Sequence, residues 1–146
     1  MKYLKKYENL FTNMFTSKYE PDIWEDYMDD TFEEKLGYNK LMSSAYDGDI
    51  KKFKYFFKFY QTKLNDISKT NKTVLIYTVL GSCNMTEKKE IIKILIDNNT
   101  DMNFEYNGKT FYELIKDDNL KKWVENTYPE FIKNLILKRS IEKYNL

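Results

Sequence analysis

The chain has 146 residues, of which 42% are apolar, four are glycine and two are proline, and this composition predicts one folded domain rather than a disordered chain. Its net charge of +1 argues against a general nucleic-acid binder, and its single cysteine, Cys83, excludes an internal disulfide and favours a reducing, cytoplasmic compartment. The absence of histidine excludes catalytic triads that use histidine and metal sites that contain it.

The sequence predicts neither secretion nor membrane insertion. The N-terminal stretch MKYLKKYENLF is basic, but charges interrupt its apolar residues, so it lacks the continuous apolar core of a signal peptide. No run of about 20 uncharged apolar residues occurs, so no transmembrane helix is expected.

The first 38 residues predict two helices. Between residues 2 and 15, apolar side chains recur at three- and four-residue steps and form a single stripe. Pro21 suits the first turn of a second helix, because a proline there loses no hydrogen bond. Trp24 and Tyr27 contribute to the apolar face of this helix, and Gly37 is a natural stop.

The second helix also concentrates negative charge. Eight acidic residues and two lysines lie between residues 18 and 35, a net charge of −6, whereas residues 36–146 hold 19 basic and 14 acidic residues, a net charge of +5. Acids four residues apart repel by roughly a few tenths of a kcal/mol, so a helix that retains them is a candidate docking face for a basic partner. A solvated outer face is the simpler alternative. The candidate partner-binding residues on this helix are Asp22, Glu25, Asp26, Asp29, Asp30 and Glu33.

The rest of the chain alternates predicted helices with polar connections. Those helices lie at about residues 40–46, 50–60, 87–98, 110–116, 120–126 and 129–144. Polar residues at 62–72 and 99–109 predict loops. The run at 73–80, TVLIYTVL, is apolar and β-branched, and taken alone it is typical of a buried strand.

Three segments of this region share one internal order. Thr110 follows Thr73 by 37 residues, and Thr73 follows Asn39 by 34 residues. Each segment has a short first helix, a tight polar turn, a longer second helix and an extended loop. Similar spacing combined with a shared order indicates a structural repeat.

These segments resemble the ankyrin-repeat family, whose unit has about 33 residues. The similarity is greatest in NNTDMN at residues 98–103 and NGKT at residues 107–110. Further similarity lies in TVL at residues 73–75 and in GDI at residues 48–50, where the family begins its first and second helices. The resemblance covers about residues 39–126.

The sequence also departs from the family pattern. The histidine and proline of the family's start motif are missing, and Thr78 stands where the family prefers alanine. A few extra residues lie at 83–89, and Asn99 occupies the usual place of a glycine.

The resemblance implies an all-α fold, namely an ankyrin-like α-solenoid of helix-turn-helix repeats. Residues 39–126 would form the repeats, with a cap made of an N-terminal helix pair at 1–38 and a C-terminal capping helix at 127–146, because terminal repeats need cover. It also implies that residues 73–80 form a short inner helix rather than a strand.

The resemblance further implies a concave face made of loop tips and inner helices. Residues 67–72 and 104–109 would form neighbouring tips. Phe104 and Tyr106 are aromatic residues on a polar loop, which is typical of interface anchors, although either ring could instead pack back on the stack. The candidate partner-binding residues at these tips are Lys69, Asn71, Phe104 and Tyr106.

The sequence gives no basis for catalysis, a metal or a cofactor. No pair of acids is distinguished by its spacing, and residues 107–110 lack the preceding glycine and strand of a phosphate-binding loop. We therefore predict a non-catalytic protein-interaction module that binds neither nucleic acid nor membrane. Its most specific form is a microbial immunity or inhibitor protein that blocks a toxin or effector with a basic surface. The alternatives are a viral or parasite protein that engages a host factor, and a structural or regulatory subunit of a larger assembly.

Overall fold

A computed structural model describes residues 40–145 of the chain. The two predicted N-terminal helices and the acidic residues on the second of them lie outside that range. The described residues are all-α, as predicted, and form no strand longer than an isolated bridge. The seven helices are α1 (Lys40–Asp47), α2 (Ile50–Phe57), α3 (Val74–Leu80), α4 (Met85–Asp97), α5 (Phe111–Leu114), α6 (Asp118–Thr127) and α7 (Pro129–Tyr144), and a 3₁₀ turn spans Gln61–Lys63.

Polar N-cap residues set where five of these helices begin. Each N-cap side chain accepts a hydrogen bond from a backbone N–H of the first turn, which would otherwise have no partner. The caps of α2 to α6 are, in order, Asp49, Thr73, Asn84, Thr110 and Asp117. The cap at Asn84 explains why α4 begins two residues before the predicted boundary at 87. The prediction for α5 was too long, since the chain is already extended at Ile115.

Two helices end in the left-handed conformation that closes a Schellman motif. Gly48 follows α1 with φ +71°, and Asn99 follows α4 with φ +65°. After α4, the N–H of Thr100 donates to the carbonyl of Leu95 at 3.1 Å, and the N–H of Asn99 donates to that of Ile96 at 3.1 Å. Asn99 therefore adopts the left-handed conformation that glycine usually occupies at a helix end.

The first helices of the predicted units pack side by side. Helix α3 contacts α1 on one side and α5 on the other, while α2 contacts α4. Five of the seven residues of α3 are buried, namely Val74, Leu75, Ile76, Thr78 and Val79. The run is apolar all round because it is covered from several directions, which is why its sequence pattern was ambiguous between helix and strand.

Thr78 is fully buried in α3. Its Oγ1 donates a hydrogen bond to the carbonyl of Val74 at 2.8 Å. The hydroxyl is therefore satisfied within its own helix, so its burial carries no unpaired polar atom.

The last helix, α7, packs on α5 and α6 through a small apolar contact. Phe131 stacks on Phe111 with ring centroids 5.5 Å apart, and Leu135 is the buried residue of α7. The opposite side of α7 exposes Ile136, Leu137, Ile141 and Tyr144. None of the helices between residues 40 and 145 has the length and apolarity needed to cross a membrane.

Candidate interaction surface

Two short hairpins project between the helices. Hairpin 1, residues 68–72, precedes α3. In it the N–H of Ser68 donates to the carbonyl of Lys72 at 2.9 Å, and Asn71 takes φ +60°. This is the geometry of a three-residue hairpin loop whose last residue is left-handed.

Hairpin 2, residues 106–109, precedes α5. Tyr106 and Lys109 exchange both backbone hydrogen bonds, at 2.8 and 3.1 Å. Asn107 and Gly108 both have positive φ, 53° and 75°, which is the type I′ turn expected of Asn-Gly. Because Tyr106 and Lys109 form a directly opposed pair, their side chains project from the same face of the hairpin.

The two hairpins are direct neighbours. The ammonium of Lys72 in hairpin 1 lies 4.8 Å from the ring centroid of Tyr106 in hairpin 2, within the range of a cation–π interaction. Nearby, the N–H of Asp101 donates to Oδ1 of Asn65 at 2.7 Å. These contacts join the loop before α3 to the loop before α5.

Tyrosines on α1 and α3 continue this contact line. Tyr77 of α3 hydrogen-bonds Ser68 at 3.1 Å and Thr70 at 3.0 Å through its hydroxyl, and Lys72 lies 5.6 Å from its ring centroid. Tyr46 of α1 meets Tyr77 edge to face, with centroids 6.2 Å apart. The tyrosine–lysine face is defined here as Tyr46, Lys72, Tyr77, Tyr106 and Lys109.

The four tip residues predicted from the sequence lie at or next to this face. Lys69 and Asn71 are exposed in hairpin 1. Phe104 and Tyr106 are half-buried and pack against the hydrophobic core, so part of each side chain is buried and part is exposed to solvent. The six acidic candidates, Asp22, Glu25, Asp26, Asp29, Asp30 and Glu33, lie outside the described residues.

Sequence reasoning did not select Lys72, Lys109, Tyr77 or Tyr46 as candidates. Lys72 and Lys109 each directly precede the N-cap threonine of the next helix, so the shared Lys-Thr dipeptide was a signal that could have identified both. Tyr46 and Tyr77 lie in helical stretches, where aromatic residues are expected in the core, and nothing in the sequence marked them as surface residues.

The carboxylates near hairpin 2 are paired with α7 rather than with the face. Glu105 accepts from Lys138 and Arg139, each at 3.0 Å, and the hydrogen bond from Lys138 is the main reason that the pKa of Glu105 lies below its usual value. Among residues 40–145, no carboxylate forms an ion pair with Lys72 or Lys109. Within this range Lys72 contacts only tyrosine rings through its ammonium, and Lys109 is exposed.

The described residues contain no cluster that could hold a metal ion, and their one cysteine is not activated. No group of three or more Cys, Asp and Glu side chains between residues 40 and 145 is placed to hold a metal ion. Cys83 is half-buried, and burial raises the pKa of its thiol above the ordinary value of 9.0. A thiol with a raised pKa stays protonated at neutral pH and is a poor nucleophile.

Comparison of the chain with models of known families, with curated proteins and with solved structures finds no match.

Proposed function

We propose that this chain is a non-catalytic protein-binding module of the ankyrin-like solenoid type, and that the tyrosine–lysine face is where it binds. The observation that carries the proposal is the continuous line of contacts from Tyr46 through Tyr77 and Lys72 to Tyr106. This line crosses α1, α3 and both hairpins. Aromatic rings are enriched at protein interfaces, and lysines beside them can steer a partner of opposite charge.

Three features support the solenoid part of the proposal. The first helices α1, α3 and α5 pack in sequence, and the second helices α2 and α4 contact each other. Thr73 and Thr110, which are 37 residues apart, are both N-caps. Each is preceded by a hairpin whose closing residue is a lysine. In such a stack each unit buries its apolar faces against its neighbours, and the edge that carries the hairpins becomes a long binding surface.

A narrower form of the proposal is that the partner is a toxin or effector and that this chain inhibits it. This form relies on the acidic stretch between residues 18 and 35, whose charge suits a basic partner. It predicts that the purified chain abolishes the partner's activity at a one-to-one ratio.

The experiment begins with isolation of a stoichiometric partner from source cells, followed by reconstitution of the complex from the two purified proteins. The Kd is then measured for the wild type, for Phe104→Ala with Tyr106→Ala, and for Asp26→Asn with Asp29→Asn and Asp30→Asn. We expect the aromatic double variant to weaken binding by at least about thirtyfold, since interface anchors contribute about 2 kcal/mol or more.

The acidic triple variant separates the two candidate surfaces. If the acidic helix is a second contact, this variant lowers the affinity for the partner and makes that affinity less dependent on salt concentration. A matched control is Ile136→Ala with Tyr144→Ala, which removes two exposed side chains of α7 away from the hairpins. Equal affinity for the wild type, the aromatic variant and the control would contradict the proposed surface.

A further inference from the structure

We infer that the tyrosine–lysine face binds an acidic protein segment, with carboxylates that lie between Lys72 and Lys109. The inference rests on the proposed function and specifies the chemistry of the partner. It concerns a different surface from the acidic helix, for which the sequence suggested a basic partner.

The two lysines occupy equivalent positions in adjacent hairpins. Lys72 closes hairpin 1 opposite Ser68, and Lys109 closes hairpin 2 opposite Tyr106. The helices that follow, α3 and α5, pack against each other, and packed helices lie about 8–10 Å apart. The backbone positions of the two lysines, each directly before the N-cap of one of these helices, are therefore about 10 Å apart.

That separation matches the spacing of side chains along an extended segment. A polyproline II segment rises about 3.1 Å per residue with three residues per turn, so residues three apart lie on the same side of the segment, about 9 Å apart. A segment with acids at that spacing places one carboxylate at each lysine. The ring of Tyr106, which lies under the ammonium of Lys72 and opposite Lys109, supplies an apolar surface between them.

The charge of the described part of the chain favours the same partner. Residues 40–145 hold 19 basic and 14 acidic residues, a net charge of +5. Lys72 and Lys109 have no ion pair among those residues, while the nearby Glu105 is bound to Lys138 and Arg139. The two lysines thus have no carboxylate partner between residues 40 and 145, and a carboxylate of a bound segment would neutralise their charge.

The test uses the full chain and a fluorescein-labelled peptide of about 12 residues, with glutamate at every third position and glycine and serine elsewhere, a spacing chosen to match one turn of a polyproline II segment. The same peptide with glutamine in place of glutamate is the control ligand. Fluorescence anisotropy at low salt gives the affinity. We expect the glutamate peptide to bind and the glutamine peptide to bind at least about tenfold more weakly, a difference of about 1.4 kcal/mol.

Charge reversal at the hairpins locates the binding. We expect Lys72→Glu with Lys109→Glu to weaken binding of the glutamate peptide at least tenfold. The matched control, Lys133→Glu with Lys143→Glu, makes the same change in net charge on exposed residues of α7 and should change affinity less than threefold. The milder pair Lys72→Gln with Lys109→Gln serves if the reversed variant loses its helical circular-dichroism signal.

Three results would overturn the inference. They are no binding of the glutamate peptide, equal binding of both peptides, and equal losses for the hairpin and α7 variants. A fourth concerns the chain's own acidic stretch: if replacing Asp22, Glu25, Asp26, Asp29, Asp30 and Glu33 by their amides strengthens peptide binding, that stretch occupies the face, and the inferred external partner is wrong. A partner that binds through Phe104 and Tyr106 while the peptide does not would leave the proposed function intact.

Discussion

At Gly48 the end of α1 passes so close to the chain before α4 that a side chain does not fit. A Cβ atom at this position would lie 1.9 Å from the Cβ of Cys83, and the residue has φ +71°. We predict that Gly48→Ala lowers the free energy of unfolding by about 2–4 kcal/mol, because left-handed strain adds to overpacking. Urea denaturation monitored by circular dichroism measures this loss.

Gly108 is the matched control for Gly48. It has nearly the same φ, +75°, but a Cβ there would have no atom within 4 Å. Gly108→Ala should therefore cost only the backbone strain, about 1–2 kcal/mol. Equal losses at the two glycines would show that the contact with Cys83 does not constrain the fold.

Asn99 offers a stabilising substitution. It holds φ +65° at the end of α4, a conformation that glycine adopts without steric strain. We expect Asn99→Gly to raise the free energy of unfolding by about 0.5 kcal/mol. The control is Asn98→Gly, which removes the bond from Nδ2 of Asn98 to the carbonyl of Ile94 and has no left-handed strain to relieve, so it should be destabilising. A loss of stability in Asn99→Gly would contradict this account of the helix end.

At the residue scale, the sequence carries its clearest structural signals where one residue has one local role. The polar residues before each helix and the Asn-Gly pair are recognisable because capping and turn geometry depend on a few adjacent residues. The face formed by Tyr46, Tyr77 and Lys72 was not predictable in this way, since its members come together only when hairpin 1 folds against α3 and α3 packs on α1.

At the scale of elements, Arg139 connects α7 to hairpin 2 and to α5. Its guanidinium donates to both carboxylate oxygens of Glu113, at 2.6 and 3.1 Å, and to the carbonyl of Gly108 at 3.0 Å. Glu113 also forms the capping box of α5 with Thr110. One carboxylate therefore connects the start of α5 to α7, where apolar contact is limited.

We predict that this attachment depends on pH. The hydrogen bond from Arg139 is the main reason that the pKa of Glu113 lies below its usual value of 4.5. A carboxyl group with a lowered pKa contributes stability that is fully present above pH 4.5 and is lost as pH falls through the folded-state pKa. Arg139→Met should lower the free energy of unfolding by about 1–2 kcal/mol at pH 7, and the difference from the wild type should shrink below pH 4.5.

Urea titrations at pH 7, 5, 4 and 3 on both proteins test this prediction, which would be wrong if the difference stayed constant over that range. Lys133→Met is the control, because Lys133 is exposed on the same helix and forms no ion pair with any residue between 40 and 145. Its stability should match the wild type at every pH.

Some helices were easier to identify from the sequence than others. Amphipathic segments such as α4 were recognisable from their period, whereas α3 was not, because a short helix with five of its seven residues buried carries little periodic contrast. Only the position of residues 73–80 within the repeated, ankyrin-like order of helices, turns and loops favoured a helix over a strand. The apolar residues of α7 also differ in exposure in a way that the sequence pattern did not predict. Leu135 is buried, whereas Ile136 and Ile141 are exposed.

At the scale of the molecule, the spacings of 34 and 37 residues predicted consecutive helical units. The described part of the chain is all-α. The sequence could not predict how the hairpins of adjacent units meet. That contact depends on side-chain positions, such as Lys72 over Tyr106, that no local pattern encodes. Cap formation by residues 1–38 stays a prediction.

The most direct measurement for the account is tyrosine-selective chemical labelling of the chain alone and in complex with its isolated partner, read by mass spectrometry. We predict that labelling of Tyr46 and Tyr106 falls at least about fivefold in the complex, because a protein interface excludes solvent at its centre. Tyr144, which is 80% exposed at the end of α7, should be labelled equally in both states. Protection of Tyr144 with unchanged labelling of Tyr46 and Tyr106 would contradict the assignment of the tyrosine–lysine face as the binding surface.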